Sequence, residues 1–309
     1  MEHPLFLIHG QDPLILQDDE TVEDLQNGGM RLLQRQSGFR FGTDSVLLAA
    51  YAASFYPHPT QRPVYAADLG AGCGAVSLLL AARLPRLKIC AIEVDRPCCT
   101  TLARNIALNG LADRMAALNL DICRLSAGSW PFSDAPPGPF ASLERGRFDL
   151  VVTNPPYLRR EQSIRKIANS SVITSPSGRY EQDETGLGLD QLLQAANRLL
   201  RPGGRLVLVH RAHRLADVLV SLRAWDLEPR TLRMVQPLPE RRPFIFLLSA
   251  AKQGRPGGFQ VEPPLLVSDR PGHLSKETAA WYGHEPLLSQ ERLFQGLMVC
   301  HDPAGQDWR

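Results

Sequence analysis

The sequence predicts a doubly wound α/β fold: a mostly parallel seven-stranded sheet with helices on both faces and an antiparallel pair of strands at one edge. Continuous apolar stretches of strand length alternate with amphipathic helical stretches between residues 64 and 248, which is typical of parallel strands covered on both sides. A glycine-rich turn follows the first strand and opens the first helix. The last two strands have only a short linker between them, which predicts antiparallel pairing.

Each element of this fold is predicted from its apolar pattern and its flanking turn residues. The strands are predicted at Val64–Gly70, Lys88–Glu93, Met115–Leu120, Phe148–Thr153, Arg205–Val209, Arg230–Val235 and Phe244–Leu248. The helices between them are predicted at Cys73–Leu84, Arg96–Asn109, Leu187–Leu200 and Ala212–Ala224. Outside this series, Asp44–Phe55 is predicted as a helix capped by Thr43 or Asp44, Phe259–Val267 as a further strand and Lys276–Tyr282 as a short helix.

The composition excludes several classes of protein. Hydrophobic residues make up 44% of the 309 residues, which is too many for a disordered chain, and no apolar run approaches the roughly 18 residues of a membrane span. With 34 Lys and Arg against 32 Asp and Glu, the chain is not a strongly basic nucleic-acid coat protein. Six cysteines without CxxC pairs predict reduced thiols and a cytoplasmic protein. His210 and His213 have no third ligand nearby, so no metal site is predicted.

A candidate cofactor loop follows the first strand. Asp68 ends that strand, and Gly70, Gly72 and Gly74 lead into the helix, where glycines permit a tight turn and a close approach of a ligand to the helix N-terminus. The second strand ends at Glu93, nineteen residues past Gly74. A carboxylate at that point can accept hydrogen bonds from the two hydroxyls of a ribose.

Two cofactors fit this loop. Gly70, Gly72 and Ala75 satisfy the G-x-G-x-x-G/A pattern of a dinucleotide site in its weak form. An acidic strand end followed by G-x-G-x-G is the stronger match, and it favours S-adenosylmethionine (SAM), whose positive charge suits Asp68. Asp121, just after the third strand, is placed either to accept a hydrogen bond from the adenine amino group of SAM or to cap a helix.

A second motif, Asn154-Pro155-Pro156-Tyr157, follows the strand Phe148–Thr153 at the sheet edge that carries the glycine loop. A nucleobase amine or an amide nitrogen is a poor nucleophile because its lone pair is delocalised. Acceptors at the Asn154 side chain and the Pro155 carbonyl would oppose the charge that develops on that nitrogen. The two prolines fix the backbone, and Tyr157 offers a face for stacking a base. The motif therefore predicts transfer of a methyl group to nitrogen.

These motifs resemble those of the small-domain amino-methyltransferases, which are class I SAM-dependent enzymes. The resemblance rests on Asp68–Gly74, Glu93 and Asn154–Tyr157. Within that superfamily, Gly38–Ala49 and the preceding Leu32–Arg35 resemble the N-terminal segment of the adenine-N6 methyltransferases that act on valine tRNA beside the anticodon. The family resemblance implies an enzyme with SAM as cofactor and an RNA substrate, for which tRNA is the first candidate.

The resemblance covers approximately Thr21–Gly283. We expect three parts: an N-terminal segment over the cofactor site (1–60), the methyltransferase domain (61–252) and a C-terminal extension (253–309). The resemblance also implies functions for single residues. The implied cofactor-binding residues are Asp68, Gly70, Gly72, Gly74, Glu93, Asp121 and Asn154; the implied catalytic residues are Asn154, Pro155, Pro156 and Tyr157.

Arginine placement supports a nucleic-acid substrate. Between Leu158 and Tyr180 the basic residues are Arg159, Arg160, Arg165, Lys166 and Arg179, against the single acidic Glu161, a local net charge of 5 − 1 = +4. We expect Tyr157, Arg159, Arg160, Arg165 and Lys166 to contact the substrate, although a solvated surface loop has the same pattern. Arg31, Arg35 and Arg40 would continue such a patch, and phosphate contacts there would weaken with salt.

Other enzymes share the tetrapeptide. Protein-glutamine N5 methyltransferases of release factors carry a sizeable helical domain first, whereas the roughly 60 residues before the first strand do not read as a helical bundle. Ribosomal-RNA guanine-N2 methyltransferases usually have a duplicated domain and Phe in place of Tyr157, and DNA adenine methyltransferases need a recognition domain. A non-catalytic SAM- or RNA-binding module is the alternative from another class, and such a module has no use for Asn154.

Overall fold

The computed structural model describes residues 5–6, 14–36, 41–56, 62–127, 146–155 and 188–283. The strands are β1 (Leu5–Phe6), β2 (Leu14–Ile15), β3 (Glu20–Asp24), β4 (Arg31–Arg35), β5 (Val64–Leu69), β6 (Leu87–Glu93), β7 (Met115–Asn119), β8 (Phe148–Thr153), β9 (Leu200–Arg211), β10 (Leu227–Gln236), β11 (Ile245–Lys252), β12 (Gln260–Leu266), β13 (Ser268–Arg270) and β14 (His273–Leu274). The helices are α1 (Thr43–Ser54), α2 (Ala75–Arg83), α3 (Arg96–Leu108), α4 (Ile122–Ser126), α5 (Leu189–Leu199), α6 (Leu215–Ala224) and α7 (Lys276–Trp281).

The central sheet confirms the predicted doubly wound fold. Its order is β12-β10-β11-β9-β8-β5-β6-β7, and the pairs β9–β8, β8–β5, β5–β6 and β6–β7 are parallel. Side chains on its two faces enter two separate hydrophobic clusters. Helices α1, α2 and α3 pack on one face, whereas α4, α5 and α6 pack on the other. Because both faces are covered, the central strands β5, β6 and β8 are buried along nearly their whole length.

The antiparallel edge differs from the prediction in one respect. The sheet has eight strands instead of seven, because β12 pairs in parallel with the outer side of β10. The antiparallel pair β10–β11 is therefore covered by one further strand, and β11 runs antiparallel to both of its neighbours. Strand β12 contains Pro263 and Pro264, which lack an N–H and are tolerated at an edge. The register shifts at this point, between Arg233 and Val235.

Several smaller features were not predicted, among them a hairpin before α1 and the exact start of α2. Before α1, the strands β3 and β4 form an antiparallel hairpin that packs against α3. The helix predicted from Cys73 begins at Ala75, since Gly74 is its N-cap in a left-handed conformation. Among the described residues, no helix is both long and apolar enough to cross a membrane. The division at residues 60 and 252 remains a prediction.

Candidate cofactor and substrate site

The glycine-rich turn leaves open backbone at the end of β5. Gly70 and Gly72 have φ of 74° and 57°, a conformation that other residues rarely adopt. A side-chain carbon built on either glycine would meet no other atom of the described part of the chain within 4 Å. The turn therefore offers a ligand space directly over its backbone, as the cofactor prediction requires.

Gly74 is needed for packing instead. Its φ is 94°, and a side-chain carbon at this position would lie 2.4 Å from Leu102 Cδ1 on α3. The last glycine of the motif thus lets α3 press against the turn from one side, while the backbone at Gly70 and Gly72 stays open. Gly74 thus positions the loop, and its predicted contact with the cofactor remains a prediction.

Glu93 ends β6 beside this turn. It is buried, and one carboxylate oxygen accepts a hydrogen bond from Gly72 N at 2.8 Å, while the other accepts one from Asp95 N at 2.8 Å. Each carboxylate oxygen has a second lone pair, so both can also accept from ribose hydroxyls. Glu93 therefore holds the glycine loop, and its position fits the predicted contact with the ribose of SAM.

Asp68 lies beneath the loop with only 1% of its surface exposed. Its Oδ2 accepts a hydrogen bond from Ser77 Oγ at 2.7 Å. Burial, opposed by the hydrogen bond from Ser77 and reinforced by the negative charge of Glu93, raises the pKa of Asp68 to about 7. A cation bound over the loop would favour the ionised carboxylate. The observed contact is with Ser77, and the contact of Asp68 with SAM remains a prediction.

This pKa predicts pH-dependent binding of SAM. Because a cationic ligand binds better to ionised Asp68, the affinity of the wild-type protein should rise about tenfold between about pH 6 and about pH 8. Without ligand, the raised folded pKa has the opposite effect, since the Asp68 contribution to stability falls as pH rises from about 4 to about 7. Calorimetric titration should show a much flatter profile for Asp68→Asn. The same profile in both proteins would contradict the prediction.

Asp121 follows β7 and is the N-cap of α4, where its side chain accepts a hydrogen bond from Cys123 N at 2.8 Å. Its neighbour Leu120 donates from its backbone N–H to Glu93 O at 3.1 Å, so Asp121 lies near the end of β6. The helix-capping function is therefore observed. The hydrogen bond from the adenine of SAM remains a prediction that this position allows.

Asn154 and Pro155 follow β8 directly, and both are half-buried. Strand β8 pairs in parallel with β5, with Thr153 opposite Leu69. Thr153 Oγ1 also donates to Leu69 O at 2.9 Å. The structure thus brings Asn154 beside the glycine turn, as predicted. The other motif and loop predictions lie outside the described residues: Pro156, Tyr157, Arg159, Arg160, Arg165 and Lys166.

Ser77 and Asn119 are polar residues beside the site that the sequence analysis did not single out. Ser77 is fully buried on α2 and binds Asp68. Asn119 ends β7 and donates to Glu93 O and Val94 O at 2.9 Å each. The signal for Ser77 was a lone hydroxyl in the apolar stretch Ala75–Ala82. Asn119 carried no such signal, since an Asn near a strand end is ordinary turn chemistry.

Comparisons with known proteins agree with this fold. A tRNA1(Val) (adenine(37)-N6)-methyltransferase of Porphyromonas gingivalis is 29% identical over 251 residues, which are 79% of this chain and 87% of that protein. A protein of the same name from Parabacteroides distasonis is 27% identical over 70% of this chain and 79% of its own length. A release factor glutamine methyltransferase of Chlorobaculum tepidum is 30% identical, over 49% of this chain and 47% of that enzyme. No family model matches the chain.

Among solved structures, a predicted O-methyltransferase from Agrobacterium tumefaciens matches with a TM-score of 0.56 and 19% identity, covering 79% of this chain and 98% of that one. This likeness concerns the fold. With the relatives and the site, it identifies the protein as a SAM-dependent methyltransferase with the class I fold. The similarity over most of the chain to the enzymes named tRNA1(Val) adenine-N6-methyltransferases confirms the resemblance found in the sequence.

Proposed function

We propose that the protein transfers a methyl group from SAM to the N6 of an adenine in tRNA, the reaction named for its relatives, which act on adenine 37 of tRNA1(Val). The observation that carries the proposal is the place of Asn154, which directly follows the strand β8 paired with the strand that ends in the glycine turn. From this position Asn154 could contact a nucleophile that enters the open space over Gly70 and Gly72.

The residues of the chain would position the two reactants and oppose the charge that develops on the amine. When bound, SAM supplies an electrophilic methyl group on its sulfonium. Asn154 Oδ1 and the Pro155 carbonyl would each accept one N–H of the adenine amine, which draws its nitrogen toward tetrahedral geometry and opposes the developing positive charge. Glu93 would hold the ribose of the cofactor, and Asp68 would offset its charge from below the loop. In-line transfer then depends mainly on the relative placement of the two reactants.

Contact with the RNA would use the basic residues predicted from the sequence. Of these, Arg31 and Arg35 are described, and both are exposed at the two ends of β4. The proposal takes residues 1–60 as the segment over the cofactor, 61–252 as the methyltransferase domain and 253–309 as the extension. It also places the enzyme in the cytoplasm, where tRNA is available.

Methylation of a protein glutamine is a second candidate, supported by the similarity to the release factor enzyme. That similarity covers about half of either chain, whereas the relatives that modify tRNA are covered over 87% and 79% of their lengths. The broader coverage of the relatives named for tRNA favours tRNA as the substrate.

The proposal predicts which substrate takes up label. Full-length protein with methyl-labelled SAM should label unmodified tRNA, and digestion of that tRNA should release labelled N6-methyladenosine. Parallel reactions with rRNA, DNA and release factors should stay near background, and Asn154→Ala should stay near background with all of them. Label in release factor alone would replace the proposal by the second candidate. Another modified nucleoside would contradict the N6 assignment.

A further inference from the structure

The helix α3 carries a buried amide that joins two parts of the molecule. Asn105 is fully buried. Its Oδ1 accepts a hydrogen bond from Leu33 N at 2.6 Å, and its Nδ2 donates to Leu33 O and to Cys73 O, both at 2.8 Å. The orientation of the amide is fixed, because a backbone N–H can only donate and a carbonyl can only accept. One side chain thus forms hydrogen bonds with the backbone N–H and C=O of Leu33 at the outer edge of β4 and with the Cys73 carbonyl of the glycine turn.

The strand β4 continues this connection toward the start of α1. The neighbour of Leu33, Gln34, is 2% exposed, and its Oε1 accepts a hydrogen bond from Phe41 N at 3.3 Å. Phe41 packs against the core near the start of α1. The residues that precede α1 are therefore tied to β4, and β4 is tied through Asn105 to the turn.

We propose that Asn105 is a positioning residue of the cofactor site, which fixes the Cys73 carbonyl and sets the place of residues 41–43 relative to the glycine turn. This inference rests on the proposed function, since it takes the turn as the SAM site. With Leu102 packed against Gly74, Asn105 makes α3 the support of the turn. Without Asn105, the turn keeps its glycines but loses the hydrogen bond that holds its carbonyl.

The chain offers a matched control one helical turn away. Asn109 Oδ1 accepts from Arg31 N at 2.8 Å, and its Nδ2 donates to Arg31 O at 2.8 Å. Asn109 thus binds the same edge of β4 with the same bidentate geometry. Its remaining hydrogen bond, from Nδ2 to Asn105 O, stays within the helix end and does not reach the turn. Asn105 is fully buried and Asn109 half-buried, but a function of Asn105 limited to holding the edge of β4 would be shared by Asn109.

The test compares Asn105→Ala with Asn109→Ala in the full chain. We expect Asn105→Ala to raise the Kd and KM for SAM about tenfold, as the loss of a buried hydrogen bond implies, while kcat at saturating SAM changes less than about threefold. Hydrogen exchange of residues 70–75 without ligand should accelerate in this variant. Asn109→Ala should leave the Kd within about twofold and the exchange of these residues unchanged. Equal effects of the two substitutions would overturn the inference.

A measurement on the wild-type protein covers the case in which Asn105→Ala does not fold. SAM should slow the exchange of the Leu33 amide, which Asn105 links to the turn, more than that of the Arg31 amide, which Asn109 holds. Equal slowing of the two amides would overturn the inference. Wild-type protein that binds no SAM would contradict the proposed function. The exchange of residues 70–75 in ligand-free Asn105→Ala, compared with ligand-free wild type and Asn109→Ala, would then decide whether Asn105 holds the turn.

Discussion

Replacing Asn154 by alanine should lower kcat about 100-fold or more and change the Kd for SAM less than about threefold. Removing one preorganised polar group that opposes developing charge typically costs about 100- to 1,000-fold in turnover. Asn154 follows β8, next to the open turn, where its side chain would face the substrate amine. The cofactor contacts proposed for Glu93 and Asp68 do not involve it.

The conservative replacement separates the acceptor function from shape. Asn154→Asp keeps an oxygen that can accept the N–H of the amine, so its turnover should lie clearly above that of Asn154→Ala. Single-turnover assays with saturating labelled SAM would measure the methyl-transfer step, and calorimetry would measure cofactor binding. Turnover of Asn154→Ala within about threefold of wild type would exclude the acceptor function. A parallel loss of SAM affinity would instead indicate that Asn154 mainly binds the cofactor.

Sequence periodicity and strand-end motifs predicted most of this fold because the information is local. The apolar patterns of the first two strands, the glycine-rich turn after Asp68 and the spacing from Gly74 to Glu93 all lie within one βαβ unit. The carboxyl ends of adjacent parallel strands must share one edge of the sheet. The proximity of Asn154 to the glycine turn therefore followed from the pattern alone.

The features that were missed depend on contacts between distant segments. Asn105 binds Leu33, which is 72 residues away in sequence, and no local pattern distinguishes it from a surface Asn on an amphipathic helix. The strand predicted at Phe259–Val267 is confirmed as β12, but the sequence did not show that it pairs with β10 and makes the sheet eight-stranded. The burial of Asp68 could not be predicted either, because the sequence shows that an acidic residue lies at the strand end but not how exposed its side chain is.

Replacing Glu93 by alanine should have the largest effect on cofactor binding, with an increase in the Kd for SAM of about 100-fold or more. Two losses combine in this variant. The ribose hydroxyls lose a charged acceptor, for which hydrogen bonds are worth about 1.5–3 kcal/mol. Gly72 N and Asp95 N lose their acceptors as well, so the open turn is no longer held in its binding geometry.

Two further variants separate the loss of the ribose contact from the loss of the hydrogen bonds that hold the turn. Glu93→Gln keeps one acceptor oxygen, so it cannot satisfy both Gly72 N and Asp95 N, and its affinity should lie between that of wild type and that of Glu93→Ala. Asp95→Ala removes the neighbouring carboxylate that caps α3 through Cys98 N at 3.0 Å. It should cost about 1 kcal/mol of stability and leave SAM affinity within about twofold.

Calorimetry with each folded variant, checked by thermal melting, would measure these effects on SAM affinity. If Asp95→Ala weakened SAM binding as much as Glu93→Ala, general loss of stability in this region would explain both, and the ribose contact would have no support. An unchanged affinity in Glu93→Ala would exclude the contact directly. We expect the affinity for SAM to be highest in wild type and Asp95→Ala, lower in Glu93→Gln and lowest in Glu93→Ala. This order requires that the same carboxylate both holds the glycine turn and binds the cofactor.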